Sequence, residues 1–266
     1  MKARRECRVR RQQGFSLIEL LTVVVILMLV TGVVFQQIDM VQKRYRTEGV
    51  KLDLTQESRE FLDQMVRDLH TAGYPNKRMY ITALVTNNDN RNAVGLVQLT
   101  STSLWFEGDV DGDGQVDSIQ YQLRPNAGSC PCTLRRSQVV KTNGVAPLAQ
   151  ATNFNMEVSD VVNSAGLYTI SGNSVLAPGT VANDTLYGSY KAAPVFRAYD
   201  ANGLECGAAG AGCAALPLDI NANPNDIAAI RSIRININVL APPSGVDLQT
   251  RMRPALSMTA AARLNN

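Results

Sequence analysis

The sequence predicts an α+β protein in which a long N-terminal helix packs on an antiparallel β-sheet. Residues 15–35 form an apolar run in which Glu19 is the only charged residue, and a helical pattern continues beyond them to about Ala72. After the helix, apolar and polar residues alternate in several short runs bounded by turn residues, which is the pattern of half-buried strands. Helical periodicity followed by strand periodicity favours one helix placed ahead of one sheet.

The apolar run is long enough to cross a membrane. It has 21 residues, which span about 31 Å as a helix, close to the thickness of a bilayer's hydrocarbon core. A carboxylate inside that core costs about 2.5–3.5 kcal/mol on insertion scales, so an acid retained there needs a partner. We therefore expect Glu19 to meet a cation.

The second half of the helix is predicted to be amphipathic. Its apolar residues recur at helical spacing and form one stripe: Val50, Leu54, Phe61, Leu62, Met65, Val66 and Leu69. The opposite face is predicted to carry the charged residues Lys51, Glu57, Arg59, Glu60, Asp63, Arg67 and Asp68. Gly73 and Pro75 are the stop signals, and the apolar stripe is expected to pack under a folded domain.

The rest of the chain is predicted to be a β-rich domain. Alternating runs predict strands over residues 103–107, 119–123, 154–158 and 233–239, with a shorter strand at 195–199. Between residues 160 and 230 the sequence is rich in Gly, Ala, Asn and Ser and predicts mainly loops. An antiparallel sheet with one solvated face is expected.

The N-terminus carries a specific motif ahead of the apolar run. Residues 1–14 contain six basic residues and one acid, and they end in Gly14 directly before Phe15. A secretory signal would place its small-residue cleavage site after the apolar region. The stretch "GFSLIEL" resembles the cleavage signature of type IV prepilins, with a basic leader, a glycine at the cut, an aromatic new N-terminus and a glutamate five residues into the mature chain.

This resemblance implies a processing step and a role for the acid. A prepilin peptidase would cut between Gly14 and Phe15 and methylate the new amine of Phe15. Glu19 of an incoming subunit would then meet the Phe15 amine of a neighbour, which neutralises the acid and sets the register of a helical assembly. The alternative is an ordinary signal or anchor with an incidental acid, for which residues 30–32, Val-Thr-Gly, would be a loose cleavage site.

Weaker matches extend the resemblance along the chain. The segments "FLDQMVRDLHTAGY", "VFRAYDANG", "DIAAIRSIRININV" and "ARLNN" resemble PilW-like minor pilins, with the J-type pseudopilins of type II secretion as near relatives. The loop from Leu204 to Leu218 departs from that pattern. The resemblance implies four regions: a leader at 1–14, a transmembrane and assembly helix at 15–35, an amphipathic helix at 36–74 and a pilin head at 75–266.

The resemblance also implies location and partners. The chain would be held in the inner membrane by one span, with its head in the periplasm, and would then enter an extracellular pilus. Its partners would be the prepilin peptidase, inner-membrane lipid before assembly, and other major and minor pilins or pseudopilins. The processes served by such filaments are twitching motility and cell adhesion.

Charge and composition argue against nucleic acid and catalysis. The chain has 26 basic and 23 acidic residues and a net charge of +3, but the leader holds six of the bases and one of the acids, which leaves 20 and 22. A basic leader fits the cytoplasmic side of a membrane, so the charge does not indicate nucleic-acid binding. His70 is the only histidine, and no nucleophile elbow, phosphate loop or dinucleotide fingerprint is present, so an enzyme is not expected.

One acidic segment has the spacing of a calcium loop. In "DVDGDGQVD" the acids Asp109, Asp111 and Asp113 alternate, and Gly114 follows them. In the same register Gln115 would offer its backbone carbonyl and Asp117 would occupy the ninth position. The twelfth residue is Gln120 instead of glutamate, and strands flank the segment, so the prediction is a Ca²⁺-binding hairpin loop. The alternative is a solvated Asp/Gly turn.

Four cysteines lie beyond the leader and are expected to form disulfides in an oxidising compartment. Cys206 and Cys213 enclose six small residues that could close as a loop. Cys130 and Cys132 have only Pro131 between them, so a direct bond is possible but strained, and three pairings of the four cysteines stay open.

Three functions follow as hypotheses. The first is a minor pilin that primes or joins a type IV pilus through its N-terminal helix. The second is a pseudopilin of a type II secretion system, which the sequence separates poorly from the first. The third is a binding or adhesion module at the pilus tip, with loops ordered by calcium.

Overall fold

The computed structural model describes residues 16–80, 85–171, 181–247 and 250–264. By its internal contacts the chain divides into two compact units, Met1–Arg46 and Thr47–Asn266, which are described separately. Helix α1 runs from Leu17 to His70 and contributes residues to both units. The fold class is α+β and pilin-like, as the sequence predicts.

In the first unit, helix α1 is apolar and exposed. None of the described residues from 16 to 46 is buried. An 18-residue window of α1 has a mean hydropathy of 2.8, and none of it is covered by the rest of the protein. This helix is therefore long and apolar enough to cross a membrane. The predicted start at Phe15 lies outside the described residues.

In the second unit, the remainder of α1 buries the predicted apolar stripe. Leu54, Phe61, Leu62, Met65 and Leu69 are all buried. The prediction that the charged residues all face solvent is wrong for one of them, because Asp68 is only 5% exposed. After the helix, Gly73 takes a φ of 80°, the left-handed conformation that glycine adopts without a steric penalty.

Ten strands, three short α-helices and three 3-10 helices (Lys77–Met79, Pro147–Ala149 and Pro243–Gly245) follow α1 in the described residues. The strands are β1 Leu96–Leu99, β2 Ser103–Gly108, β3 Asp117–Asn126, β4 Ser129–Val140, β5 Phe154–Val161, β6 Thr169–Ile170, β7 Phe196–Tyr199, β8 Leu218–Asp219, β9 Ser232–Leu240 and β10 Ala255–Arg263. The short α-helices are α2 Asn183–Leu186, α3 Gly188–Ala192 and α4 Pro224–Ala229. The five predicted strands correspond to β2, β3, β5, β7 and β9, whereas β1, β4, β6, β8 and β10 were not predicted individually.

The strands form one sheet with the order β10-β9-β5-β4-β3-β2-β1-β8. Two short strands lie off this order: β6 pairs with β4, and β7 pairs with β9. The β4–β6 pair is parallel, and every other described pair, including β7–β9, is antiparallel. Residues 117–121 of β3 are buried on both faces, so the expected solvated face is missing there. One face of this stretch is covered by α1, since the rings of Phe61 and Tyr121 meet edge to face with centroids 5.9 Å apart.

Candidate assembly and metal sites

The first candidate site is the beginning of α1. The backbone N–H of Glu19 donates to the Ser16 carbonyl at 3.0 Å, and the Thr22 hydroxyl donates to the Glu19 carbonyl at 2.8 Å. The Glu19 carboxylate itself has no hydrogen bond or ion pair with any described residue, and its neighbours in the sequence, such as Leu17 and Leu20, are apolar and exposed. Gly14 and Phe15 lie outside the described residues. Glu19 thus places a carboxylate on an apolar helix, and no described residue of the chain pairs with it.

The second candidate site is the loop between β2 and β3, residues 109–116. One carboxylate oxygen from each of Asp109, Asp111 and Asp113 lies within 4.8 Å of the others. These carboxylates accept the loop's own backbone N–H groups: Asp109 accepts from Gly112 at 2.8 Å and from Gly114 at 3.1 Å. Three of the predicted acidic ligands therefore converge, and each retains free lone pairs.

The other two predicted ligands are placed differently. Gln115 is exposed, and both its backbone N–H and its side-chain Nε2 donate to Asp113. Asp117 is the first residue of β3, is 3% exposed, and accepts from Gln138 on β4 at 2.8 Å. Burial, together with a smaller contribution from the nearby acids of the loop, raises the pKa of the Asp117 carboxyl to about 6. Asp117 thus belongs to the sheet and not to the group of three converging acids.

The structure contains the predicted Cys206–Cys213 disulfide and, of the pairings left open by the sequence, the direct Cys130–Cys132 bond. Cys206 bonds to Cys213, with Cα atoms 4.9 Å apart, and Cys130 bonds to Cys132 within β4. The loop closed by the first bond is also held by Asp200, whose carboxylate accepts the backbone N–H groups of Gly212 and Leu204. These donors lower the pKa of the Asp200 carboxyl.

Two buried charge networks in the head were not predicted. Asp68 accepts from the Tyr121 hydroxyl at 2.6 Å and from the Arg136 guanidinium at 2.9 Å. Burial, followed by the negative charge of Asp68, raises the pKa of the Tyr121 phenol, so it stays protonated and donates. The network joins α1 to β3 and β4.

Lys141 is the centre of the second network. Its Nζ atom lies 2.6 Å from Glu107 and donates to the carbonyls of Asn87 and Asn92 at 2.7 Å each. Both charged side chains are fully buried. This lysine fixes a polar segment before β1 to the sheet. No pattern of residue spacing in the sequence predicts this role of Lys141.

Comparison with known proteins identifies the N-terminal segment. Residues 9–35 match the model of the prokaryotic N-terminal methylation motif. No curated protein and no solved structure gives a significant match to the chain. The motif, the exposed apolar helix and the α+β head together support a type IV pilin-like protein of the prepilin type, a class that includes pilins and pseudopilins.

Proposed function

We propose that this chain is a minor pilin, similar to the PilW-like proteins, that primes or joins a type IV pilus through its N-terminal helix. The observation that carries the proposal is Glu19, a carboxylate without an intrachain partner among the described residues, placed inside the matched motif. A neighbour's methylated Phe15 amine would supply the missing cation. The function is assembly, without turnover of a substrate.

Before assembly, the apolar part of α1 would lie in the inner membrane with the head in the periplasm. The basic leader would remain on the cytoplasmic side until the prepilin peptidase removes it. A lipid environment makes an unpaired carboxylate costly, so pairing with a neighbouring subunit would favour transfer from membrane to filament.

The test compares two charge-removing substitutions on the same helix. The Glu19→Gln variant should be inserted and processed like the wild type. Its amount in sheared filaments should be at least about tenfold lower, since a charge-assisted hydrogen bond contributes about 1.5–3 kcal/mol. Asp39→Asn is the matched control, because Asp39 is exposed and bonds only within the helix, to Lys43 at 2.6 Å. Glu19→Gln at wild-type levels in filaments would contradict the proposal.

Gene deletion distinguishes a minor pilin from a pseudopilin. A minor pilin is required for pili, and quantitative mass spectrometry should find few copies of it per filament. If deletion abolishes secretion of a folded substrate and leaves pili intact, the chain is a pseudopilin and the minor-pilin proposal fails.

We also propose that the loop of Asp109, Asp111 and Asp113 binds calcium, which would order a loop available for adhesion. The convergence of three carboxylates within 4.8 Å favours it, because carboxylates this close repel one another unless a cation or water screens them. The missing twelfth-position glutamate predicts weak binding, with a Kd of about 0.1–1 mM. At ten times Kd the gain would be about 1.4 kcal/mol, or a few degrees in Tm.

The calcium test measures melting of the full chain in detergent, in millimolar calcium and in chelator. Asp111→Asn combined with Asp113→Asn should abolish the calcium-dependent difference in Tm. Asp219→Asn is the matched control, since Asp219 also accepts backbone N–H groups in a turn, from Asn221 and Ala222, outside the acidic group. Coincident wild-type curves would show that the loop is a solvated turn.

A further inference from the structure

The last residues of the first unit form a basic belt on α1. The belt consists of Lys43, Arg44, Tyr45 and Arg46, and it contains no acid. Arg44 and Arg46 are exposed, and Tyr45 is 75% exposed. The belt follows closely after the exposed apolar part of the helix, so it lies at one end of the segment that could cross a membrane.

Two cations of the belt are not neutralised by the described chain. Lys43 pairs with Asp39 at 2.6 Å. Glu48, one turn after Arg44, bonds to a lysine further along α1 instead. Neither Arg44 nor Arg46 has a hydrogen bond or ion pair with any described residue. The belt therefore presents two guanidinium groups, each a planar set of N–H donors that suits a phosphate.

The belt surrounds the helix. At 3.6 residues per turn, Arg44 and Arg46 project in directions about 160° apart, with Lys43 between them on one side and Tyr45 on the other. The apolar residues before the belt are likewise exposed on every side of the helix. A neighbouring helix would cover one side only, whereas lipid contacts the whole circumference. The distribution of charge thus favours a bilayer over a single protein partner.

The belt also lies at the depth of lipid headgroups. In a membrane, the hydrocarbon boundary would fall between Phe35, which ends the apolar run, and Val41, the last exposed aliphatic residue before the belt. The Cα of Arg44 is about 5 Å beyond Val41 and about 14 Å beyond Phe35. The headgroup layer is about 5–8 Å thick on each side. Helical Cβ atoms lean toward the N-terminus, here toward the apolar run, so the long arginine side chains reach back into this layer.

We propose that Arg44 and Arg46 bind the phosphate groups of anionic phospholipids in the periplasmic leaflet of the inner membrane, with Tyr45 among the headgroups. Guanidinium groups bind phosphate through paired, charge-assisted hydrogen bonds, and tyrosine is enriched at membrane interfaces. Once the basic leader is removed, the belt is the only flank of the apolar run with basic side chains, so it would fix the depth of the helix. The inference rests on the membrane state in the proposed function, and it does not depend on Glu19.

The test places a fluorophore on Gln42→Cys of the full chain, in a Cys7→Ser background that removes the leader's thiol. Gln42 is exposed beside the belt, and the other four cysteines are held in disulfides. The chain is reconstituted in phosphatidylcholine vesicles that contain a minor share of phosphatidylglycerol. A nitroxide quencher near the headgroup is carried by one lipid or the other, at the same concentration. Contact quenching reports lipids beside the belt, because those at the leader lie across a core about 30 Å thick.

The measured quantity is the ratio of quenching by phosphatidylglycerol to quenching by phosphatidylcholine. It should be at least about three in the wild type, since each basic residue near an anionic surface gains about fivefold in affinity, or about 1 kcal/mol. In Arg44→Gln combined with Arg46→Gln it should fall to about one. Arg59→Gln combined with Arg67→Gln is the matched control, because both arginines are exposed on α1 in the second unit. This control should keep the wild-type ratio.

Three results would overturn the proposal at the level of lipid contact. The first is a wild-type ratio near one, and the second is quenching by neither lipid, which would place residue 42 away from the bilayer surface. The third is an equal ratio in the two double variants, which would mean that the attraction does not come from Arg44 and Arg46.

A filament assay separates this proposal from the pilin function. Glu19→Gln should lose filament incorporation and keep the wild-type lipid ratio, so the two ideas fail by different measurements. If the variant of Arg44 and Arg46 keeps the wild-type ratio but is absent from sheared filaments, the two arginines bind a neighbouring subunit. That result would overturn lipid binding and leave the pilin function intact.

Discussion

Glu19 on the apolar helix and the buried acids of the second unit differ in whether a described residue neutralises them. Glu19, in the first unit, is a carboxylate on an apolar helix and has no partner among the described residues. In the second unit, three buried or partly buried acids each bond to a base of the same unit. These pairs are Asp68 with Arg136, Glu107 with Lys141, and Asp160 with Arg253.

The difference indicates where each unit obtains its stability. A buried charge is costly unless it is paired and hydrogen-bonded, and the head meets that requirement with its own residues. In the described residues 16–46 no side chain is buried, so this segment gains little from contacts within the chain. Lipid or neighbouring helices would have to cover its apolar side chains, and a cation from outside the described residues would have to neutralise Glu19.

The largest expected effect tests whether the first unit is processed as a prepilin. Gly14→Val should block cleavage, so nearly all of the protein should remain as full-length precursor in the membrane, as measured by intact mass. Gly32→Val is the matched control, since Gly32 lies on the same apolar helix and an added Cβ there meets nothing within 4 Å. A mature chain that begins near Val33 in the wild type would show that the segment is an ordinary signal.

The next effect tests the internal pairing of the head. Lys141→Met leaves the Glu107 carboxylate buried without its cation and removes the donor to two carbonyls, so the free energy of unfolding should fall by about 3–5 kcal/mol. Urea unfolding can follow this, because Trp105 is the only tryptophan and is buried in β2.

The double variant Lys141→Met with Glu107→Gln separates charge from packing. It removes both charges, so it should recover a large part of the lost stability. If the double variant is no more stable than Lys141→Met, the lost stability comes from packing and from the carbonyl contacts of Lys141. The Glu107–Lys141 pair would then not be an example of an acid stabilised by its base within the second unit.

Local patterns predicted the helix and half of the strands. The stripe of Leu54, Phe61, Met65 and Leu69 has helical spacing, and β9 alternates apolar and polar residues, so both could be predicted from adjacent residues. Strand β4 was not predicted, because Pro131 and two adjacent arginines interrupt its alternation. Its place at the centre of the sheet is set by partners far away in sequence.

The same limit applies to the sites. The motif around Gly14, Phe15 and Glu19 is contiguous and could be recognised without a fold. Asp68 lies three residues after Met65 and seven after Phe61, so helical spacing places it on the buried face, but its partner Arg136 lies on a distant strand. For Lys141 the sequence offers no such spacing, since its contacts come from residues brought together only by folding.

A smaller effect is expected at the network that joins α1 to the sheet. Asp68→Asn removes the charge that accepts from Tyr121 and Arg136, and we expect a loss of about 1.5–3 kcal/mol, the usual contribution of hydrogen bonds to a charged group. Asp63→Asn is the matched control, because Asp63 is exposed on the same helix. Equal unfolding midpoints for the two variants would mean that Asp68 does not fix the helix to the sheet.

The smallest effect is expected where a pair in the head is exposed. Arg197 donates to both carboxylate oxygens of Glu205, at 2.9 and 3.1 Å, but the two side chains are 41% and 42% exposed. Water screens such a pair, so Glu205→Gln should lower the free energy of unfolding by about 0.2–1 kcal/mol. In 1 M salt the Debye length falls to about 3 Å, and the difference from wild type should shrink further. A loss above about 2 kcal/mol that persists in high salt would mean that exposed pairs contribute as much as buried ones, and burial would then not explain how the head stabilises its acids.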